Sequence, residues 1–231
     1  MDILVALYGG VIKRDADDPR KRDRIILSKG HAAAALRRAR GIRLFPAGKT
    51  PGLSEGRIAL HRPHYSWYSR GRVFDWPSRP WPQRRNGLAL AGRIRHLPYR
   101  VFTILSEGDC QEGATWEAAM FAAHHRLSSM VCIVDHNKIQ NYGRVDEVLG
   151  LAPLDAKWEA AGWATRNVDG HDMGALVDAL AAAPFEPDRP SALIAHTVKG
   201  KGVSFMEDQL KWHYQTPTAD EVESARAELM S

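Results

Sequence analysis

The chain has 231 residues, of which 26% are charged, and a formal net charge of +5. This length suits one domain with a sizeable core, or one domain and a part of another. Two cysteines are too few for a disulfide framework, and there is no signal peptide and no apolar run of membrane-spanning length. We therefore expect a cytoplasmic protein that has no membrane partner.

The N-terminal part contains an apolar helix and a short polar motif. Met1 to Tyr8 is predicted to form the helix, which Gly9 and Gly10 end. A run reading LSKGHA follows at Leu27 to Ala32. A lone histidine after a glycine, such as His31, is more often a turn residue than a functional one, so this residue type alone predicts no site.

Residues 37–86 differ in character from the rest of the chain. They contain twelve Arg or Lys and only two acids, so this segment carries +10 and the remainder carries −5. No helical or strand period is sustained here, and Arg, Pro, Gly and Trp dominate. A solvated basic linker is one interpretation, and a nucleic-acid-binding segment with interleaved aromatic residues is another.

Residues 87–92 are predicted to end a helix. The central stretch that follows, from Arg100 to Val148, predicts a strand, a turn, a helix and a second strand. Such a unit normally has two parallel strands with a right-handed crossover. Trp116, Ala119, Met120 and Ala123 are expected on the buried face of the helix. The predicted elements are a strand at Val101 to Leu105, a turn at Ser106 to Gly113, a helix at Ala114 to Arg126 and a strand at Met130 to Val134.

Polar side chains follow both strands of this unit. Glu107 and Asp109 come after the first, and Asp135 and Asn137 come at the end of the second. The carboxyl ends of parallel strands are where ligands bind on such sheets. Gly108 would let backbone N–H groups approach phosphate, and carboxylate and amide oxygens suit Mg²⁺. The pattern fits a diphosphate and a divalent cation, but it equally fits two strand ends with ordinary polar caps.

The C-terminal part continues the alternation of strands and helices. This order is typical of an α/β fold with a doubly wound, mainly parallel sheet. A glycine-rich, cationic loop containing Lys199 and Lys201 would suit an anion, although both lysines could simply be solvated. The predicted elements are helices at Leu154 to Ala161, Met173 to Ala183 and Thr218 to Met230, and strands at Trp163 to Val168 and Ser191 to Thr197.

The central stretch resembles the thiamine diphosphate motif of the transketolase family. That motif reads roughly G-D-G-E-x-x-E-G-x-x-W-E-A-A, followed by D-x-N-x-x-Q about thirty residues later. The resemblance rests on Gln111-Glu112-Gly113, Trp116-Glu117-Ala118-Ala119, Asp135-x-Asn137 and Gln140. The resemblance covers about 1–36 and 87–231, and it implies the thiamine-diphosphate-binding fold.

The resemblance also implies roles for individual residues. Glu107, and not Asp109, takes the position of the family's metal-binding aspartate. Asp109 in turn takes the position where the family has glutamate. Mg²⁺ would bind Glu107, Asn137 and the backbone carbonyl of Ile139, and Gly108 would lie against phosphate. His31 and His213 match histidines near the cofactor and the substrate. Glu112 and Glu117 resemble glutamates at the interface between paired cofactor sites, although helix-start acids are an alternative for both.

The implied protein is the N-terminal, diphosphate-binding subunit of a split transketolase. It would bind Mg²⁺ and thiamine diphosphate and transfer a two-carbon ketol unit from a ketose phosphate to an aldose phosphate. A separate C-terminal subunit would supply the pyrimidine-binding domain, which is expected to be absent from a single domain spanning 1–231, and the N-terminus is expected to be shortened. The alternatives are a transketolase relative that acts on another ketose, a 1-deoxyxylulose-phosphate-synthase-like protein and, from another class, a basic protein that binds nucleic acid through residues 37–86.

The segment 37–86 also suggests a shifted reading frame. Trp has a single codon, TGG. If the gene is read one base later, that codon gives one that begins with GG and encodes glycine, so Trp67, Trp76 and Trp81 would each become glycine. His61 to Asn86 can then read IGHTTLGIPGVEFSTGPLGHGLSAGM, which resembles the family's sequence between its L-S-K-G-H and G-D-G motifs. We therefore expect an aberrant, poorly packed segment in this chain and weak or absent cofactor binding.

Overall fold

The computed structural model describes residues 1–15, 17–29, 67–69, 72–74, 81–213 and 215–230. In these ranges the strands are β1 (Arg24–Leu27), β2 (Trp67–Ser69), β3 (Arg72–Phe74), β4 (Val101–Ser106), β5 (Met130–His136), β6 (Ile139–Gln140), β7 (Gly143–Arg144), β8 (Ala164–Asp169) and β9 (Ser191–His196). The helices are α1 (Asp2–Ala6), α2 (Trp81–Ile94), α3 (Glu107–Cys110), α4 (Gly113–His124), α5 (Val145–Leu149), α6 (Leu154–Ala160), α7 (Met173–Ala181) and α8 (Ala219–Met230), with a π-helical turn at Leu7–Val11 and 3₁₀ turns at Pro19–Lys21 and Leu210–His213.

Five strands form one parallel sheet in the order β1-β4-β5-β9-β8. Strands β4 and β5 pair from Val101 opposite Met130 to Ser106 opposite Asp135. Short antiparallel pairs join β2 to β3 and β6 to β7. The α/β fold with a mainly parallel sheet is therefore as predicted, and its carboxyl edge gathers the residues that follow β1, β4, β5, β8 and β9.

Both faces of the sheet are buried, which is why the inner strands are continuous apolar runs. On β4, Val101 and Leu105 belong to one hydrophobic cluster, while Phe102 and Ile104 belong to the other. The first cluster includes apolar residues of α2, α4 and α6, and the second includes those of α1, the π-helical turn and α7. Helices thus cover the sheet on both sides, as in a doubly wound fold.

Two local predictions around α4 were wrong. The turn expected at 106–113 contains the short helix α3, because Ser106 and Asp109 form a capping box. Met120, predicted on the buried face of α4, is 57% exposed. The other predicted residues of that face do meet the core, since Ala119 is buried and Trp116 and Ala123 pack against it. The remaining buried positions are small residues, which let the helix approach the sheet closely, and they are Thr115, Ala118 and Ala122.

Other boundaries also differ from the predictions. The first helix passes through Gly9 and Gly10 as a π-helical turn that ends at Val11. Helix α2 begins at Trp81, inside the segment predicted to be irregular, and it ends at Ile94, two residues beyond the helix end predicted at 87–92. Of the segment 37–86, the structure describes 67–69, 72–74 and 81–86, and the remainder lies outside the described residues. Among the residues described, no helix is both long and apolar enough to cross a membrane.

Candidate cofactor and metal site

The candidate site lies where β4 and β5 end side by side. Ser106 pairs with Asp135 in the last rung of this parallel ladder. Glu107 follows directly as the first residue of α3, and Asn137 follows β5. The fold therefore brings together the two acid-and-amide clusters that the sequence separates by about thirty residues, and it does so at the sheet edge where ligands bind.

Glu107 is a buried carboxylate that reaches across to the end of β5. Its side chain is 2% exposed, and its Oε2 accepts a hydrogen bond of 2.6 Å from the backbone N–H of Lys138. Its Oε1 lies 2.6 Å from His136 Nδ1, although the two groups are not aligned for a regular hydrogen bond. A buried anion with one oxygen lacking a regular hydrogen bond is suited to a cation.

Asp109 has a different environment. Its carboxylate accepts a bond of 2.7 Å from the Ser106 backbone N–H, and it also accepts the hydroxyl protons of Ser106 and Ser28. These bonds fix the start of α3 and connect the end of β1 to the end of β4. Asp109 therefore has a structural role in capping, which accounts for an acid beside Gly108 without giving that acid to a metal.

The turn after β5 carries Asn137 and Ile139, and it brings Gln140 beside Gly108. Asn137 is 8% exposed, and its Oδ1 accepts a bond of 3.1 Å from Ile139 N–H. Lys138 has a positive φ of 65°, which bends the chain sharply between them. Gln140 Nε2 is buried and has no hydrogen-bond partner among the described residues, and its Oε1 would lie 3.8 Å from a Cβ placed on Gly108.

These residues fit a magnesium diphosphate group. A Cβ at Gly108 would make only ordinary contacts with Ser106 and Gln140, so packing within the described chain does not demand glycine there. No three His, Cys, Asp or Glu side chains converge in the described ranges to form a metal cluster. A cation here would thus combine the Glu107 carboxylate with amide and carbonyl oxygens, which Mg²⁺ accepts.

A second charged group lies at the same edge. The Lys29 ammonium forms an ion pair with the Asp135 carboxylate, which also accepts the Thr197 hydroxyl proton. Burial opposes ionisation of Asp135, but the Lys29 charge and these two bonds outweigh it, so the pKa of the carboxyl lies below its usual value. Lys199 is half-buried nearby, and burial and the Lys29 charge lower its pKa.

The other predicted site residues occupy varied positions. His213 is half-buried at the end of the 3₁₀ turn Leu210–His213, which packs against β6. Glu112 is the N-cap of α4 and is exposed at its surface. Partial desolvation by its neighbours, together with the Asp109 charge, raises its pKa. Glu117 is exposed on α4. His31 lies outside the described residues.

The sequence interpretation did not assign a role to three residues that the structure places at this edge. Lys29 was seen only as part of the LSKGHA motif, His136 was given no role, and Asp135 was predicted only as a member of the polar cluster at the end of β5. The signal for the Lys29–Asp135 pair was weak, because 106 positions separate the two residues in the chain. Strand order alone brings them together, since β1 and β5 both flank β4.

The model of the family described as "Transketolase, thiamine diphosphate binding domain" matches residues 94–230, which is more than half of the chain. The chain therefore belongs to the transketolase family. It is 36% identical to the 6-deoxy-6-sulfo-D-fructose transketolase subunit SqwG of Clostridium sp. (strain MSTE9), over 99% of this chain and 84% of that protein. It is 31% identical to one subunit of the apulose-4-phosphate transketolase of Phocaeicola vulgatus, over 99% of this chain and 83% of that protein.

Solved transketolase structures share the fold. The crystal structure of the transketolase from Campylobacter jejuni superposes with a TM-score of 0.81 at 24% identity and covers 99% of this chain. This chain spans only 37% of that longer chain. The likeness at this identity concerns the fold, which agrees with the predicted diphosphate-binding domain architecture.

Proposed function

We propose that this chain is the diphosphate-binding subunit of a cytoplasmic two-subunit transketolase. The observation that carries the proposal is the convergence of Glu107, Gly108, Asn137 and Ile139 at the ends of two adjacent parallel strands, in a chain of this family. The two relatives at 36% and 31% identity are both named as transketolase subunits, which supports a divided enzyme.

The chain's own contribution is to hold the cofactor's diphosphate and metal. Glu107, the Asn137 side chain and the Ile139 backbone carbonyl would bind Mg²⁺, and the backbone at Gly108 would lie against phosphate. Thiamine diphosphate, when bound, supplies the carbanion chemistry that transfers a two-carbon unit. The protein residues bind and orient the diphosphate half and exclude water from the buried carboxylate.

Residues outside the strand ends of β4 and β5 would complete the site. His213, beside β6, and His31 would contact cofactor or substrate. Glu112 and Glu117, exposed at the start and in the middle of α4, would face the neighbouring cofactor site across an interface. A C-terminal subunit with the pyrimidine-binding domain would complete the cofactor site. This arrangement divides one cofactor between two chains, so neither chain would bind it fully alone.

The substrate class is a ketose phosphate as donor and an aldose phosphate as acceptor. The names of the two relatives give a sulfonated ketose and apulose 4-phosphate as their substrates, so an acidic sugar related to these is a reasonable donor. A transferase assay with the C-terminal subunit tests the function. Transfer of a two-carbon unit between sugar phosphates is expected, whereas condensation of pyruvate with glyceraldehyde 3-phosphate would identify a 1-deoxyxylulose-phosphate-synthase-like enzyme instead.

We also propose that residues 37–86 are encoded in a shifted frame, so that this chain lacks cofactor-binding loops. The described end of the segment supports this. Arg85 is 2% exposed against the core, and its polar contact within the described chain is Cys132 Sγ at 3.9 Å. Asn86 is 4% exposed; its Nδ2 donates to Ala118 O at 2.9 Å, but its buried Oδ1 accepts no hydrogen bond from any residue that the structure describes. A coherent helix would bury apolar residues at both positions.

The family model's match gives further support, because it begins at residue 94, after this segment. The nucleotide sequence tests the proposal. The +1 frame from codon 36 to codon 86 should encode the glycine-rich motifs, and a frame without them would overturn it. We use the term frame-restored chain for a version of the chain in which these codons are read in the +1 frame.

A further inference from the structure

We propose that the His136 imidazole is a nitrogen ligand of the metal ion at the carboxyl edge, and that the site therefore prefers Mn²⁺ to Mg²⁺. The inference deepens the proposed function and rests on it, because it concerns the ion of the same site. It begins from two buried polar atoms, Glu107 Oε1 and His136 Nδ1, which lie close together without forming a hydrogen bond.

The separation and orientation of these two atoms suit a shared cation. They lie 2.6 Å apart, and both are buried with no hydrogen-bond partner among the described residues. A histidine that donated its proton to Glu107 would be aligned along the line between the two atoms. Two neighbouring ligands of one octahedral ion, each about 2.1 Å from it, lie about 3 Å apart and point at the ion instead of at each other. Close approach without alignment is therefore the arrangement expected of two ligands.

Both side chains are held in place by other contacts. Glu107 Oε2 accepts a hydrogen bond of 2.6 Å from the Lys138 backbone N–H, which leaves Oε1 for another partner. The His136 ring packs edge-on against the His196 ring, with centroids 5.1 Å apart, and the His136 backbone carbonyl accepts a bond of 3.1 Å from Thr197 N–H. The two ligand atoms thus need little rearrangement to bind an ion, which favours affinity.

The chemistry of this ligand set distinguishes between metal ions. Mg²⁺ is a hard ion that takes oxygen ligands, whereas the first-row transition-metal ions, beginning with Mn²⁺, also bind imidazole nitrogen. No third His, Cys, Asp or Glu joins Glu107 and His136 within the described ranges, so the four-ligand set of a structural Zn²⁺ site is not formed there. One imidazole among oxygen ligands suits Mn²⁺, which shares the octahedral preference of Mg²⁺.

The test uses Mn²⁺ alone as the probe, titrated into this chain and followed by electron paramagnetic resonance, with Mg²⁺ affinity obtained by competition. His136→Phe keeps a ring but removes the ligand atom, and His196→Phe, at the ring that packs against it, is the matched control. We expect His136→Phe to lower Mn²⁺ affinity about tenfold or more and Mg²⁺ affinity by less than about threefold, whereas His196→Phe should change neither to this extent. Thermal unfolding checks that each variant is folded.

A second measurement reports on the metal–nitrogen bond directly. Pulsed electron paramagnetic resonance of bound Mn²⁺ should show the modulation from a coordinated imidazole nitrogen in the unmodified chain and in His196→Phe, and not in His136→Phe. His136→Asn places an amide oxygen near the position of Nδ1, so it should retain Mg²⁺ affinity and lose the nitrogen modulation.

Four results would each overturn the inference. They are equal Mn²⁺ affinities of His136→Phe and the unmodified chain, nitrogen modulation that persists in His136→Phe or His136→Asn, an equal loss of Mn²⁺ affinity in His196→Phe, and absence of Mn²⁺ binding to the unmodified chain.

The two proposals fail in different experiments. If the frame-restored chain with its partner binds thiamine diphosphate, and His136→Phe in that chain leaves its dependence on Mn²⁺ and Mg²⁺ unchanged, the role of His136 is wrong and the proposed function stands. If Mn²⁺ binds this chain through His136 but the frame-restored chain never binds thiamine diphosphate, the proposed function is wrong and the metal site stands.

Discussion

The carboxylates at the carboxyl edge have separate roles that follow from their partners. Asp109 accepts bonds from Ser106 and Ser28 and caps α3. Asp135 is paired with Lys29. Glu107 accepts the Lys138 backbone N–H, while its other oxygen has no regular hydrogen bond to the part of the chain that the structure describes. Composition could not distinguish these acids, because each has the same charge and all lie close to a strand end. Their hydrogen bonds distinguish them.

The Lys29–Asp135 pair gives a prediction at this scale. Asp135→Asn keeps the shape of the side chain but leaves the Lys29 ammonium without its counter-ion, in a site where both side chains are less than a fifth exposed. Removing one member of a largely buried pair is expected to lower the free energy of unfolding by about 3 kcal/mol. Urea denaturation of the variant and the unmodified chain measures this.

The control for that prediction is the exposed pair between Arg144 and Asp208. These side chains are 43% and 47% exposed, and their atoms approach to 2.6 Å. Asp208→Asn should lower the free energy of unfolding by less than about 1 kcal/mol, because solvent screens surface pairs. Equal losses in Asp135→Asn and Asp208→Asn would show that the Lys29–Asp135 pair is no more important than a surface contact.

Among the elements, α2 is the one whose sequence and environment disagree. It buries Ala89 in its second half, as a helix against a sheet should, but it buries Arg85 and Asn86 in its first half. Arg85 contacts the thiol of Cys132, whose pKa is raised by burial to about 11 and which therefore offers no negative charge near neutral pH. The mismatch coincides with the proposed end of the shifted frame.

Replacing the buried arginine should therefore stabilise the protein. Arg85→Met retains much of the volume and the helix propensity while removing a buried charge that has no ion-pair partner in the described ranges, so we expect the free energy of unfolding to rise by about 2 kcal/mol. Arg84→Met, at the exposed neighbouring position, should change it by about 0.5 kcal/mol or less. Thermal and urea unfolding of the pair provide the comparison, and destabilisation by Arg85→Met would contradict the mismatch.

The predictability of the elements follows from their environments. Strands β4, β5 and β9 could be predicted because strands buried on both faces are short apolar runs. The exposure of Met120 on α4 could not be predicted, because alanine occurs on several sides of this helix and Met120 fitted the spacing of the residues that do pack on the core. Helix α3 was missed because its four residues look like a turn, and its capping box forms only through the Ser106 and Asp109 side chains.

The site shows the same division between local and distant information. Glu107 and Asn137 could be named from the family motif, because their spacing is local to one strand–helix–strand unit. The Lys29–Asp135 pair depends on strand order, which brings the ends of β1 and β5 to one edge. The roles proposed for His31, His213, Glu112 and Glu117 remain predictions.

For the whole molecule, we propose that one sheet edge holds half of a cofactor while a partner subunit holds the rest. The described part of the chain contains the predicted metal-binding and phosphate-binding residues in one place. The segment that should supply further cofactor loops is the one we interpret as frame-shifted. The intact edge and the altered segment together predict a protein of the transketolase family whose cofactor affinity is impaired.

The most direct test is a Mg²⁺-dependent titration of thiamine diphosphate into this chain and into the frame-restored chain, each with the C-terminal subunit. The frame-restored chain should bind the cofactor only when Mg²⁺ is present, and this chain should bind at least about tenfold more weakly, because each lost 1.4 kcal/mol of contacts costs that factor. Equal affinity of the two chains would contradict the proposed frame shift in residues 37–86, and absence of binding in both would contradict the cofactor site itself.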